Sequence, residues 1–496
     1  MMRSLYSGVS GLKVHQTKMD VIGNNIANVN TVGFKSSQVN FSDILYQTTS
    51  SVSGPNTEAR TAGINAKQIG LGASVAAIST TVTVSGGSQR TDNALDIMIE
   101  GEQFFIVNNG VQNYFTKAGA FTIDASGLLC NTGGCKVMGW QVDPNDPSKC
   151  VHDTVSELRV RSAENTYVPP ARTTDIHFIG NIDQKDTQLT NPHGKTTTMS
   201  FYDKLGQSYM AVVSIKKVDG EDGAEGNYNV FVTDILDSTG QSIFVKYNEE
   251  DGTYGPSAIT TFNFGGQDIS VDDSMIDPET GKVNLFDDDD NYLGTPVPLK
   301  FDAETGKFVS IGEDGEDSGS KWVSLMVGGE SDADNPSPFG EIKCDFSSMT
   351  MYASSGSSSF AAIRGSLEDG TGAGKPKGTM TGLAVDSAGR IYGSYDNGDK
   401  KLLCQIAVAS FENPAGLEAA GNSLFLATMN SGEFNGIGED INTVGGKMTT
   451  GVLEMSNVDL STEFTSIITT QRGFQANSRV ITTSDTLLEE LINLKR

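Results

Sequence analysis

Apolar residues recur with helical spacing at both ends of the chain. Near the start, Leu5, Val9, Leu12, Gln16, Met19, Gly23 and Ile26 follow the alternating four-three spacing of a heptad seam, interrupted by polar Gln16 and small Gly23. Near the end, Leu453, Leu460, Ile467, Phe474, Ile481 and Leu488 recur every seven residues, with Phe464 and Ile492 at the second seam position. Sustained heptads predict coiled-coil packing. The expected helices are roughly 25 to 35 residues long, about 40 to 50 Å at ~1.5 Å per residue. Proline agrees: of 14, none precedes Pro55 or follows Pro414, and a proline-free stretch permits a long helix. Asp459 is placed to cap the second helix. A long helix with one apolar stripe needs a partner for it. The two helices could cover one another, or pack between copies of the chain. The second is favoured because the seams run into the termini, where a lone domain usually frays.

Between the ends the pattern changes. Residues 31–90 are rich in Ser, Thr and Gly and read as an extended linker arm. From about Thr91 to residue 452, short alternating runs such as Thr198–Tyr202 and Ala211–Ile215 lie between turns. One turn recurs as Asp124–Gly127, Asp203–Gly206, Asp237–Gly240 and Asp386–Gly389, with longer versions at Asp277–Gly281 and Asp302–Gly306. Asp opens such a turn through its side chain, and Gly supplies the positive φ that closes a hairpin. The fold class expected is a mainly β middle between two long terminal α-helices. The helices take residues 1–30 and 453–496, an inner β domain 91–174 and 355–452, and an inserted outer β domain or domains 175–354.

Charge separates these regions. The formal net charge is −27, yet residues 1–54 carry four Lys/Arg against two Asp/Glu and residues 453–496 carry four against six. The middle is therefore acidic and the ends are near neutral, which suits a hydrated exterior and self-packing ends. Such acidity excludes nucleic acid and an anionic membrane as partners. No apolar run is long enough to span a bilayer, and the start lacks the apolar core of a signal peptide.

Searching for chemistry yields little. His15, His152, His177 and His193 form no metal-spaced pair. Gly370–Lys375 resembles a phosphate loop but has Asp369 before it and Pro376 after it where the motif needs Gly and Ser/Thr. Asp287–Asp290 lacks the spacing of a Ca²⁺ loop. No catalytic residue, cofactor site or metal site is expected, and the chain reads as no enzyme. Cys130 and Cys135 flank a hairpin turn and could be disulfide-bonded if directly cross-strand. Cys344 and Cys404 sit in strand-like runs and should be buried.

The termini carry a specific resemblance. Leu5-Tyr-Ser-Gly-Val-Ser-Gly-Leu12, Met19-Asp-Val-Ile-Gly-Asn-Asn-Ile-Ala-Asn28 and Thr31-Val-Gly-Phe-Lys35 resemble the N-terminal signature of the bacterial flagellar rod and hook axial protein family. Ser456–Leu460 and Gln471–Asn477 resemble its C-terminal signature, and Asp96–Phe105, Tyr114–Gly127 and Gly139-Trp140 its inner β domain. The large insertion makes the chain most similar to the hook members, while a long arm between Gln47 and Lys67 also suits a distal rod subunit. A monomeric surface adhesin or carbohydrate-binding β protein is a third reading, weakened by the two striped ends.

The resemblance implies a structural subunit of a curved helical tube, the flagellar hook, which works as a universal joint passing motor torque to the filament. It implies an extracellular protein of the flagellar basal body and hook, exported without a cleaved signal peptide. The partners it implies are further copies of the chain, the distal rod, the hook-capping scaffold, the hook–filament junction proteins and the flagellar type III export apparatus. By that resemblance the terminal helices form a coiled-coil tube core. Residues expected at helix contacts between subunits are Leu5, Val9, Leu12, Met19, Gly23, Asn24, Asn25, Ile26, Asn28, Leu460, Phe464, Ile467, Phe474, Ile481, Leu488 and Ile492.

Overall fold

The computed structural model describes residues 2–52, 54–55, 62–218, 226–249, 251–287, 291–312, 320–328 and 338–494. The architecture is mainly β between two long helices, Met2–Ala27 and Leu460–Asn493. The chain forms two compact units. The first comprises residues 1–166, 381–394 and 400–496, and the second residues 167–380 and 395–399.

The first unit holds both terminal helices. The C-terminal helix is capped by Asp459, whose side chain accepts from Ser461 N at 2.9 Å and from Thr462 Oγ1 at 2.7 Å. These bonds satisfy donors that helix geometry leaves open, and they hold the Asp459 carboxyl below its usual pKa. The helix starts at Leu460, later than the heptad count implied, because Leu453 belongs to a strand, Val452–Glu454, paired with Ser88–Arg90.

The stretch expected as a linker arm is a two-stranded ribbon. Strand β1 (Ser37–Asp43) pairs with β4 (Ala73–Thr80), and β2 (Tyr46–Ser50) with β3 (Lys67–Gly70), all antiparallel. Ser and Thr serve a ribbon with wet faces as well as large residues serve a core: Ser42 and Ser74 share a hydroxyl bond across the ladder at 2.9 Å.

The rest of the unit is a mixed-length antiparallel sheet. Lys400–Ile406, Lys136–Gln141, Phe104–Asn108, Asn113–Thr116, Leu424–Leu426 and Glu418–Gly421 lie side by side. Phe104, Ile106, Phe115, Trp140, Ala407 and Phe425 form its core. Trp140 is buried, stacks on His152 at 4.2 Å, and donates to the carbonyls of Asp153 and Ile437.

The second unit is a β-sandwich. Six strands (Gln267–Ser270, Thr261–Phe264, Trp322–Val327, Ile342–Thr350, Asp175–Asn181, Ser359–Arg364) form one sheet. Five (Lys195–Tyr202, Ser208–Lys217, Asn227–Leu236, Val297–Phe301, Phe308–Ile311) form the other. One continuous core takes Phe178, Phe262 and Ile342 from the first and Phe201, Val213 and Leu299 from the second. The unit is wider than the expected 175–354, because Ser359–Arg364 returns to pair with Asp175–Asn181.

All six Asp-to-Gly turns are present. Gly127, Gly206, Gly240, Gly281, Gly306 and Gly389 all have φ between 64° and 84°. In each, the aspartate side chain accepts backbone N–H groups within the turn.

Asp234 of the sandwich is different. It lies at an irregularity where Val212 and Val213 pair with Asp234 and Val232, skipping Thr233. Burial outweighs its bonds from Ser242 Oγ and Ile235 N and raises its pKa to about 6. A carboxyl raised on folding adds stability that is full below its unfolded pKa near ~4 and lost as pH climbs through the folded value. Asp234→Asn keeps an acceptor for both donors and removes the charge. Made in a Trp140→Phe background, where Trp322 fluorescence alone reports on the second unit, it should raise the urea midpoint of that unit at pH 7 and leave it unchanged at pH 4.

Candidate functional site

No enzyme-like site emerges among the described residues. No group of three or more His, Cys, Asp and Glu is arranged to hold a metal, and no helix is long and apolar enough to cross a membrane. All five cysteines are free. Cys130 pairs across the ladder with Lys136, not Cys135, because the turn bonds Asn131 to Cys135, so the two thiols are not directly cross-strand and the disulfide is not formed. Cys344 and Cys404 are buried, and burial pushes the Cys344 thiol up to about 12. The acidic run after Asp287 lies outside the described residues.

The distinctive surfaces are those of the helices. Within the chain they pack antiparallel, and the seam is built on small residues. A Cβ on Gly8 would stand 3.0 Å from Ile481 Cγ1, one on Gly11 2.5 Å from Asn477 Nδ2, and one on Gly473 2.7 Å from His15 Nε2. Asn25 closes the far end, donating to Glu463 Oε1 and to Ser37 O, both at 2.9 Å, while Ser37 N donates back to its Oδ1. On the C-terminal helix the seam alternates half-buried Ile467, Phe474, Ile481 and Leu488 with Thr470, Asn477 and Ser484. Burial, and then the Lys18 charge, lower the His15 pKa, so this ring is neutral in the seam at pH 7.

The roots of both helices are fastened beside one another. Gly33, at φ 67°, takes the left-handed turn after the N-terminal helix and donates its N–H to Glu454 O at 2.8 Å. Lys35 Nζ lies 2.7 Å from Glu454 Oε1, with both side chains at 0% exposure. It also donates to Val84 O, while Gly86 N donates to the same Glu454 oxygen at 3.1 Å. Ser36 N donates to Asn457 Oδ1 at 2.7 Å. Apolar periodicity could not reveal this fastening, since its members are Gly, Lys, Ser, Asn and Glu.

The expected contact residues now divide. Asn25 is buried and committed within the chain, and Ile481 faces Gly8. Leu5, Leu12, Met19, Ile26, Asn28, Ile467, Phe474 and Leu488 are half-buried. Val9, Gly23, Asn24, Leu460, Phe464 and Ile492 are exposed, and a Cβ on Gly23 would meet nothing within 4 Å. Sequence reasoning missed Tyr6, Ile468, Val480, Leu487, Leu491 and Leu494, which are also exposed. A buried stripe on a well-satisfied soluble helix leaves no such second apolar face. The helices therefore cover one another on one side only.

Comparison with known proteins gives this arrangement a family. Residues 5–35 match the family described as flagella basal body rod protein. Residues 98–176 match the flagellar hook protein FlgE/F/G D1 domain, and 449–494 the flagellar basal body rod FlgEFG protein C-terminal. The chain is 36% identical to the flagellar hook protein FlgE of Borreliella burgdorferi and 32% identical to that of Treponema pallidum, over 100% of both chains in each case. It is 25% identical to the flagellar basal-body rod protein FlgG of Bacillus subtilis, again over 100% of both. With full-length identity higher to these two hook proteins than to that rod protein, and with the terminal signatures on the two helices, the chain belongs to the flagellar hook protein family.

Proposed function

We propose that the chain is a structural, non-enzymatic subunit of the bacterial flagellar hook, polymerising with copies of itself into a helical tube. The observation that carries this is the unpartnered apolar face on each terminal helix of a chain that aligns with hook proteins over their whole length. Contacts that repeat head to tail grow an open helix when their rotation does not close into a ring. The tube core would be built from the helices, using Val9, Gly23, Asn24, Leu460, Phe464 and Ile492 together with the half-buried seam residues. The acidic second unit would stand outside, where wet contacts bridged by water exchange at little cost as the tube bends. In that position the tube acts as a universal joint between motor and filament. The distal rod, a capping scaffold, the junction proteins and the export apparatus are the partners this role requires, and the flagellum is its place.

Deleting residues 1–28 tests the role of the helices. The truncated chain should keep the cooperative unfolding of its second unit and form no tubes by electron microscopy. Normal tubes from that variant would remove the helices from assembly. Straight tubes from the intact chain would favour a rod subunit instead.

A further inference from the structure

We infer that Asn435 is a site of spontaneous modification by water: in the folded chain it loses its side-chain amide and becomes aspartate or isoaspartate. The inference goes beyond the hook-subunit reading and does not depend on it.

The pair Asn-Gly occurs three times, at Asn109–Gly110, Asn397–Gly398 and Asn435–Gly436. Glycine has no Cβ to shield its backbone nitrogen, so that nitrogen can reach the preceding side chain. It attacks Cγ of the asparagine and gives up its proton. The side-chain nitrogen takes up a proton and leaves as ammonia, and a five-membered succinimide remains. Water opens this ring at either carbonyl. Breaking the bond to Cγ gives aspartate. Breaking the bond to the main-chain carbon gives isoaspartate, in which the backbone runs through the side chain. One water is consumed for each ammonia released, and nothing is oxidised or reduced.

The three sites differ in what holds the attacking nitrogen. Gly110 N–H donates to Asn108 Oδ1 at 2.5 Å, and Gly398 N–H to Tyr395 O at 3.1 Å. Asn397 is restrained further: its Nδ2 donates to Pro376 O and Asp399 Oδ2, and its Oδ1 accepts from Asp399 N. Gly436 N–H has no acceptor among the described residues, and a Cβ at Gly436 would meet nothing within 4 Å. Asn435 itself is exposed to water. Its Oδ1 accepts from Ile437 N at 3.0 Å, which folds the side chain back over its own backbone beside Gly436. The same bond stabilises the negative charge that develops on Oδ1 as the nitrogen attacks. Asn109 has equivalent bonds from Val111 N and Gln112 N and lacks only the free nitrogen.

The turn that carries Asn435 has no slack. Gly436 O accepts from Val155 N at 2.9 Å, and Ile437 O accepts from Trp140 Nε1 at 3.1 Å. A Cβ on Gly438 would stand 2.9 Å from Ala407 Cβ. Isoaspartate adds a methylene to the main chain directly ahead of these contacts and displaces them. The reaction therefore ages the first unit at the carbonyl that holds Trp140.

The test keeps the full-length chain at mildly alkaline pH, folded or in urea, and follows the three Asn-Gly peptides by mass spectrometry. In the folded chain Asn435 should convert roughly five- to tenfold faster than Asn109 or Asn397, the factor imposed by first giving up one hydrogen bond. In urea the three should convert at similar rates, since each precedes glycine. A folded chain in which Asn435 converts no faster than the other two overturns the inference. Urea unfolding of the first unit tests the consequence. Aged chain should unfold at lower urea than fresh chain, while Asn435→Gln aged in parallel keeps its midpoint. Fresh Asn435→Asp, which has the charge without the added methylene, should match fresh wild type. An unchanged midpoint in the aged chain, or an equal fall in either variant, overturns the damage assigned to the Trp140 turn.

Discussion

Glu454→Ala should cost the first unit about 3–5 kcal/mol, since removing one partner of a buried ion pair strands the other. Both Lys35 and Glu454 have fully buried side chains, and Lys35 has only the Val84 carbonyl to fall back on. Glu454 Oε2 is buried without a hydrogen bond, so the pair is already poorly solvated. A second lysine sharpens the expectation. Lys117 donates to Gly101 O at 2.6 Å, and burial lowers its pKa to about 8, with Glu454 the strongest influence in the opposite direction. Losing Glu454 lowers it further. A lysine depressed on folding weakens the fold fully below its folded pKa, and that weakening eases as pH rises from there towards its unfolded pKa near ~10.4. The deficit of the variant relative to wild type should therefore be greatest near neutrality and narrow as pH rises through about 8. Urea titrations at pH 7 and pH 9 measure it. An equal deficit at both would mean that Lys117 does not sense Glu454. Lys35→Met with Glu454→Leu should recover much of the loss, because replacing both members with apolar residues removes the stranded charge.

Trp140→Ala should cost about 3–5 kcal/mol in the same unit. The indole fills the core beside Phe104 and Phe115 and is among the largest fully buried side chains. Its Nε1–H bridges two carbonyls, Asp153 O at 2.9 Å and Ile437 O at 3.1 Å. Trp140→Phe separates the two contributions: it restores most of the volume and leaves both carbonyls without this donor, for about 1–3 kcal/mol. The chain has two tryptophans, so in either variant Trp322 alone reports on the second unit. Circular dichroism should show the first unit's transition moving while the Trp322 fluorescence transition stays in place. A shift in both would mean that the two units do not unfold independently.

The helices and hairpin turns were legible in the sequence for direct physical reasons. A seven-residue repeat and an Asp placed three or four residues before Gly each specify a local geometry with few rivals. The direction of each helix face was not legible. Ile467 and Phe464 both fit a heptad, yet the first lies half-buried on the chain's own partner and the second stands exposed. What decides between them is the glycine track at Gly8, Gly11 and Gly473, which carries no hydrophobic signal. The ribbon at β1–β4 escaped because its strands gain from backbone pairing and hydroxyl contacts instead of an apolar face. Cys130 and Cys135 were misjudged by a single residue, since a hairpin's loop length sets which positions face one another.

Because both helix roots converge on one patch, where Lys35 grips Glu454 and Gly33 bonds its carbonyl, a pull on either helix enters the β unit at the same spot. Tension and twist would then travel through a common rivet, so that neither helix can be peeled off separately. In a spinning tube, such a joint turns two slender rods into a single spoke.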